Sequence, residues 1–241
     1  MIAKPYSKIA LIYNYLMRSI DYKDWAEYVY NISKRVKKQK LSVLELASGT
    51  CINSVYLRKH FGNIISSDLS LSMLRTASNS NMDRVCCNMT SLPFRGKFDF
   101  VFSTFDSVNY LLEEVEIKKM FAEVSRVLHD EGIFTFDVSL ERNSIKHQKH
   151  LNRKGRYEGA IYTQRSRYDK ENKLHYNNFD IILADGNSYS EEHVERIYDF
   201  NQYFMLLEGT DLMVEACFDA FSFKDANEKS ERAQFVLRKR R

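Results

Sequence analysis

Val43-Leu44-Glu45-Leu46-Ala47-Ser48-Gly49-Thr50-Cys51 is the stretch on which the fold turns. A short apolar run stops at a cluster of small residues, and a helical pattern follows over residues 53–61. Small side chains at such a turn let backbone N–H groups and a helix N-terminus approach a ligand closely. Ala47, Gly49 and Cys51 hold the alternate positions where nucleotide-binding loops usually carry glycine, although a merely tight turn satisfies the same pattern. The next strand, residues 64–67, ends at Asp68, 19 residues after Gly49. In a doubly wound sheet the end of the second strand lies beside the first loop, so an acid there reaches both hydroxyls of a ribose. Asp68 also suits a helix N-cap, but the order strand, small-residue loop, helix, strand, acid favours a nucleoside site.

Working outward, strands at 41–46, 64–67, 85–87, 98–103 and 132–138 alternate with helices at 53–61, 71–78 and 115–128. That rhythm predicts a parallel, doubly wound sheet. Residues 4–40 read as helix, with Ile9, Ile12, Tyr13, Leu16 and Met17 at helical spacing and Trp25, Tyr28, Val29 and Ile32 repeating it. The basic run Lys34 to Lys40 suits its C-terminus. After Val138 the rhythm breaks. Residues 142–156 read as a loop or short helix, while 160–168, 174–183 and 190–197 alternate as antiparallel strands. A helix at 200–207 and strands at 213–218 and 233–238 complete the first domain.

The 241 residues predict one large domain carrying an insertion. With 36 Lys and Arg against 32 Asp and Glu, the net charge of +4 falls short of a nucleic-acid footprint. No apolar run is long enough for a membrane span, and Met-Ile-Ala-Lys-Pro-Tyr is unlike a secretory signal. Cys51, Cys86, Cys87 and Cys217 show no CxxC spacing, and Cys86 and Cys87 point to opposite faces of a strand. A reducing cytoplasm is therefore expected, with no metal site. His147 and His150 lie in a basic run that reads as a solvated face, and Arg238 to Arg241 read as a soluble tail.

At this point the chain resembles a known family. Glu45-Leu46-Ala47-Ser48-Gly49-Thr50 is similar to the E-x-G/A-x-G-T loop of class I S-adenosylmethionine-dependent methyltransferases. Asp68-Leu69-Ser70-x-x-Met73-Leu74 is similar to their D-x-S-x-x-M-L segment, and Asn88-Met89-x-x-Leu92-Pro93-Phe94 to their D-M-x-x-L-P-F stretch. Phe98-Asp99-Phe100-Val101 and Leu128-x-x-x-Gly132-Ile133-Phe134 resemble their fourth and fifth strands. Asp106 to Leu111, Glu192-His193 and Ser230-Glu231-Arg232 resemble a bacterial small-molecule branch that includes amino-sugar N-methyltransferases and glycine N-methyltransferase-like enzymes.

The resemblance implies a Rossmann-like seven-stranded α/β sheet, with N-terminal helices and an antiparallel β insertion over the active site. Residues 1–40 are the expected helical lid, 41–140 with 198–241 the S-adenosylmethionine-binding domain, and 141–197 the cap. The implied cofactor contacts are Glu45, Ala47 and Gly49 on the loop, then Asp68, Leu69 and Met73 at the second strand. Asn88 and Met89 are implied at the adenine edge, Thr104 after the fourth strand, and Tyr13 and Trp25 from the lid. Tyr13, Tyr22 and Trp25 read equally as core residues packed on the sheet. The chain departs from the pattern at Ala47, at Cys51, expected to narrow the loop, and at Asn88, where an acid is usual.

Methyl transfer from a sulfonium is an in-line displacement, so the protein chiefly aligns a nucleophile. An amine must first lose a proton, and Asp106 is the first candidate base and His193 the second. Arg232 reads as a structural ion pair or a substrate contact. The only prolines are Pro5 and Pro93, so the Asn/Asp-Pro-Pro-aromatic motif of adenine amino-methyltransferases is absent. No cysteine follows a proline, which argues against cytosine C5 chemistry. The expected partner is a small-molecule methyl acceptor, an amine or a hydroxyl, handled by a monomer or homodimer. An NAD-dependent oxidoreductase and a non-catalytic binding subunit stay open as alternatives.

Overall fold

The computed structural model describes residues 1–77 and 81–240. The central sheet is built from β1 (Val43–Leu46), β2 (Ile64–Asp68), β3 (Asp83–Cys86), β4 (Phe98–Ser103), β5 (Leu128–Ser139), β10 (Leu212–Asp219) and β11 (Arg232–Lys239). Their order is β10-β11-β5-β4-β1-β2-β3, with β3, β2, β1, β4 and β5 mutually parallel. Only β11 runs against its neighbours. The chain leaves β1 toward β2 and β3, then crosses back to lay β4 on the other side of β1. That reversal opens a crevice at the C-terminal ends of β1 and β4, the place where open α/β sheets bind ligands.

Both faces of this sheet are covered. β1 is buried at every position, as parallel strands are when helices lie on both sides. Leu44 and Leu46 face the side of α5 (Glu114–Val127) and α7 (Phe200–Leu207), among Phe121, Val124 and Tyr203. Val43 faces α2 (Tyr22–Ser33) and α3 (Ile52–Phe61), among Val29, Ile32 and Leu57.

Residues 4–40 do not form the continuous helix their spacing suggests. A 3-10 turn (Ile9–Leu11), α1 (Tyr13–Leu16) and α2 replace it. Ile9, Ile12 and Leu16 pack on the second sheet with Tyr162, Phe179 and Ile181, whereas Val29 and Ile32 pack on the central one. Two apolar stripes that serve two different sheets need a break between them. Asp21 marks it, capping α2 by accepting from the Lys23 and Asp24 N–H groups at 3.0 Å. The basic run lies past α2 in a turn, where Lys38 pairs with Asp99 at 2.7 Å and Arg35 with Glu215 at 2.7 Å.

α4 (Leu71–Thr76) is shorter than expected, and the predicted end at Ser78 lies outside the described residues. After α6 (Glu141–His150), the strands β6 (Arg153–Tyr157), β7 (Ala160–Asp169), β8 (Leu174–Ile182) and β9 (Ser188–Arg196) form an antiparallel four-stranded sheet. β6 falls in the stretch expected as loop or short helix. Its basic residues suit an edge strand, and hydrogen bonds to β7 rather than local pattern make it one. The chain start joins β9, through Ala3 N–H to the Ser190 carbonyl at 2.8 Å and Ser190 N–H to that of Met1 at 2.9 Å. Of the predicted tail, Arg238 and Lys239 lie in β11, where Arg238 pairs with Glu215 and Lys239 with Asp130 at 3.2 Å, and Arg241 lies outside the described residues.

Candidate active site

The loop after β1 takes left-handed backbone at three alternate residues, Ala47 (φ 50), Gly49 (φ 56) and Cys51 (φ 61). These are the positions at which glycine was expected, and the reason is visible: the left-handed region crowds any Cβ. A side chain at Gly49 would stand 3.3 Å from the Met73 terminal methyl. Cys51, expected to narrow the loop, turns its side chain into a small core with Leu74 and Met82. Its cost is backbone strain rather than lost space.

Asp68 fastens this loop to the end of β2. One carboxylate oxygen accepts from the Gly49 N–H at 2.8 Å and the other from the Ser70 N–H at 2.7 Å. The helix cap is Ser70, which accepts from the Met73 N–H at 3.3 Å, so Asp68 is not spent on capping. Each carboxylate oxygen keeps a lone pair for a further donor.

Above these groups lies a cavity of about 660 Å³. It is lined by ten of the residues read from the sequence: Tyr13, Glu45, Ala47, Gly49, Asp68, Leu69, Met73, Asn88, Met89 and Thr104. Leu69 is 71% exposed and marks the mouth. Asn88 is partly committed, because its Oδ1 accepts from the Thr90 N–H at 2.9 Å. Glu45 is buried behind the loop, where the Ser54 hydroxyl donates to it and Ser66 donates to Ser54 at 2.8 Å. Burial pushes the Glu45 carboxyl up to about 8. Asn53, which the sequence reading missed, donates to the Thr104 hydroxyl at 2.8 Å and leaves its buried Oδ1 without a partner. An asparagine in the first turn after such a loop was the available signal.

Trp25 does not line this cavity. It lines a second one, of about 670 Å³, between the central sheet and the four-stranded cap, and packs on Phe105 at 4.4 Å between ring centroids. Tyr22 stays on the first side, edge-on to Phe105 at 5.3 Å. Tyr6, Tyr13, Phe105 and Tyr110 line both cavities and so form the partition between them. The Tyr6 and Tyr110 hydroxyls hydrogen-bond at 2.6 Å. Tyr6 and Phe105 hold left-handed backbone, φ 58 and φ 61, strain of the kind that clusters at functional sites.

Asp106 and His193, the two candidate bases, both line the second cavity. Asp106 is bound to Arg232 at 3.0 Å, its N–H donates to Asp137 at 2.9 Å, and Arg232 pairs with the fully buried Asp137 as well. Arg232 is thus the ion pair anticipated for it, and it stands 5.7 Å from the Trp25 ring. His193 is buried, with Nε2 3.1 Å from Glu191 and Nδ1 3.4 Å from the Tyr110 hydroxyl. Glu191 also accepts from the Ile9 N–H at 3.0 Å, so His193 belongs to a chain that pins the N-terminal segment onto β9. His147, expected on a solvated face, instead lines the second cavity. Cys86 is exposed and Cys87 half-buried, and the described cysteines are all free. Among the described residues no helix is long and apolar enough to cross a membrane.

The comparisons with known proteins agree with this architecture. Residues 43–132 match the family described as "Methyltransferase domain". A putative methyltransferase of Geobacillus sp. (strain WCH70) is 27% identical, with 97% of this chain and 99% of the relative covered. The crystal structure of an S-adenosylmethionine-dependent methyltransferase from Clostridium acetobutylicum superposes with a TM-score of 0.77 at 26% identity, covering 97% of this chain and 98% of that one. The sugar N-methyltransferase KedS8 from Streptoalloteichus sp. superposes with a TM-score of 0.75, covering 95% and 93% of the two chains. Its 18% identity speaks for the fold alone. Residues 43–132 thus form a methyltransferase domain, and the architecture around it, from the loop at residues 47–51 to the cap over the second cavity, is similar to that of an S-adenosylmethionine-dependent methyltransferase.

Proposed function

We propose that the first cavity holds S-adenosylmethionine and that the second holds a small-molecule acceptor, an amine or a hydroxyl, which receives the methyl group across the aromatic partition. The observation that carries this reading is that two cavities of nearly equal volume, about 660 and 670 Å³, share Tyr6, Tyr13, Phe105 and Tyr110.

The residues of the first cavity fit the group. Asp68 keeps lone pairs for ribose hydroxyls, and the loop at Gly49 brings backbone close. The orphaned Asn53 Oδ1 and the acid Glu45 offer acceptors to a cationic amino-acid end. Asn88 and Met89 stand where an adenine edge is expected. When bound, S-adenosylmethionine supplies a methyl on sulfonium sulfur, whose bonding pair stays with sulfur as the methyl leaves.

The chain's own task is then positional. The partition excludes water and confines the approach of the acceptor, which is where most of the rate of such a displacement is gained. Asp106 orders Arg232 and Asp137 at the base of the second cavity, with its side-chain contact spent on that guanidinium. His193 holds Tyr110 and the lid. A cavity of about 670 Å³ lined by Trp25, Phe179, Gln164 and Asn177 suits a compact molecule rather than a strand of nucleic acid. KedS8 methylates a sugar nitrogen, as its name states, and such an acceptor has the size and polarity this cavity requires.

Titration calorimetry with S-adenosylhomocysteine, with NAD⁺ as control, tests the reading. Micromolar binding of the former, weakened strongly in Asp68→Ala, supports it. Binding of NAD⁺ alone, or of neither by folded protein, overturns it.

A further inference from the structure

Residues 191, 193 and 195 of β9 alternate with 192 and 194, so Glu191, His193 and Glu195 share one face of the strand. The first two are committed: Glu191 to the Ile9 N–H and His193, and His193 to Glu191 and Tyr110. Glu195 is one step further along that face, lines the second cavity, and lies against the Tyr110 hydroxyl. Four carboxylates line that cavity. Asp106 is paired with Arg232 at 3.0 Å, Glu231 with Lys146 at 2.8 Å, and Asp219 is exposed at the mouth. Among the described acids that line this cavity, Glu195 is the interior one with no ion-pair partner.

We propose that Glu195 is the group that selects an amine over a hydroxyl acceptor: it binds the acceptor's ammonium and takes its proton. This rests on the methyl-transfer reading and sharpens it. Three carboxylates, those of Asp106, Asp137 and Glu195, surround the one guanidinium of Arg232, which bonds the first two only. Glu195 is thus left without a bonded cation of its own. Glu195 touches Tyr110, and Tyr110 is part of the partition, so a nitrogen held by this carboxylate lies on the cofactor side of the cavity. The step is a proton transfer from the ammonium N–H to a Glu195 oxygen. The lone pair it frees forms the new N–C bond, and the proton returns to solvent with product release. Burial and the nearby Asp106 charge raise the Glu195 carboxyl well above the usual range, which makes its ionised form a stronger base, and an ammonium brought beside it favours that ionised form. Asp106, the first candidate base, is tied to its guanidinium and serves as a positioning residue.

The test uses a matched pair small enough to enter the cavity whatever the natural acceptor: ethanolamine hydrochloride, and ethylene glycol with sodium chloride added to equal ionic strength. Each is titrated into protein saturated with S-adenosylhomocysteine. The expected result is binding of the ammonium probe at least about fivefold tighter than the diol, a difference of about 1 kcal/mol. In Glu195→Gln the preference disappears while affinity for S-adenosylhomocysteine is unchanged; in Glu195→Asp, which keeps the charge, it persists. Equal binding of the two probes by wild type, or a preference retained in Glu195→Gln, overturns the proposal. Failure of folded wild type to bind S-adenosylhomocysteine is a separate result that removes the methyltransferase reading itself. Should Glu195→Gln not fold, loss of the preference in Glu195→Asp overturns the proposal by showing that the retained charge does not set it.

Discussion

The two cavities are similar in size but are assembled in different ways. The first is made by successive turns, at residues 45–53, 68–73, 87–89 and 104, each leaving the C-terminal end of a parallel strand. The second gathers Trp25 from α2, Asp106 from the turn after β4, His147 from α6, Glu195 from β9 and Arg232 from β11. One is a property of local turns repeated along a sheet, and the other exists only once a second sheet is folded onto the first. The lesson is that the binding of a common group can be written locally, while the choice of acceptor depends on long-range packing.

The largest expected effect falls on the second cavity. Arg232→Ala leaves the fully buried Asp137 without its cation, and unpaired buried charge costs about 3–5 kcal/mol. Denaturant unfolding should show that loss, and Arg232→Lys should recover part of it. A loss below about 1 kcal/mol breaks the view that this ion cluster holds the cap side together.

Next is Asp68→Ala, which removes both charge-assisted links between β2 and the first loop. Affinity for S-adenosylhomocysteine should fall by about 100-fold, near 2.7 kcal/mol, while binding at the second cavity is preserved. Equal damage to both cavities would show them to be one cooperative unit.

A third effect is readable in pH. The folded chain keeps the Glu45 proton up to about pH 8, whereas the unfolded chain releases it near 4.5. The folded state binds more protons between those values, so this group makes stability fall as pH rises through that window. Glu45→Gln should flatten the slope in unfolding measured from pH 5 to 8. Because a cation favours the ionised acid, cofactor binding at pH 7 should release a proton. Calorimetry in buffers of different ionisation heat detects that release, and its absence would separate Glu45 from the cationic end of the ligand.

The smallest effect belongs to the loop backbone. Ala47→Gly relieves one left-handed residue and should stabilise by about 0.5–1 kcal/mol, with affinity for S-adenosylhomocysteine kept. Destabilisation would mean that the alanine methyl contributes more than its strain costs.

By itself the sequence determined the parallel half of the molecule. Apolar strands such as residues 98–103 and 200–207 as a helix were legible because their periodicity is local and both faces of the sheet need covering. The loop at Ala47, Gly49 and Cys51, with Asp68 beyond it, was legible for the same reason: backbone close to a ligand requires small residues at set spacing. Tertiary structure decided the rest. Trp25 was readable as apolar and helical, but which cavity it lines depends on Phe105 and the cap. The break between Ile9 to Leu16 and the stripe of α2 was invisible, since both stripes have helical spacing and only their separate sheets tell them apart. Arg153–Tyr157 became a strand because β7 supplied its hydrogen bonds. Asp106 and Glu195 look alike as acids in a sequence, and the position of one guanidinium, that of Arg232, made one an ion pair and left the other beside the Tyr110 hydroxyl without one.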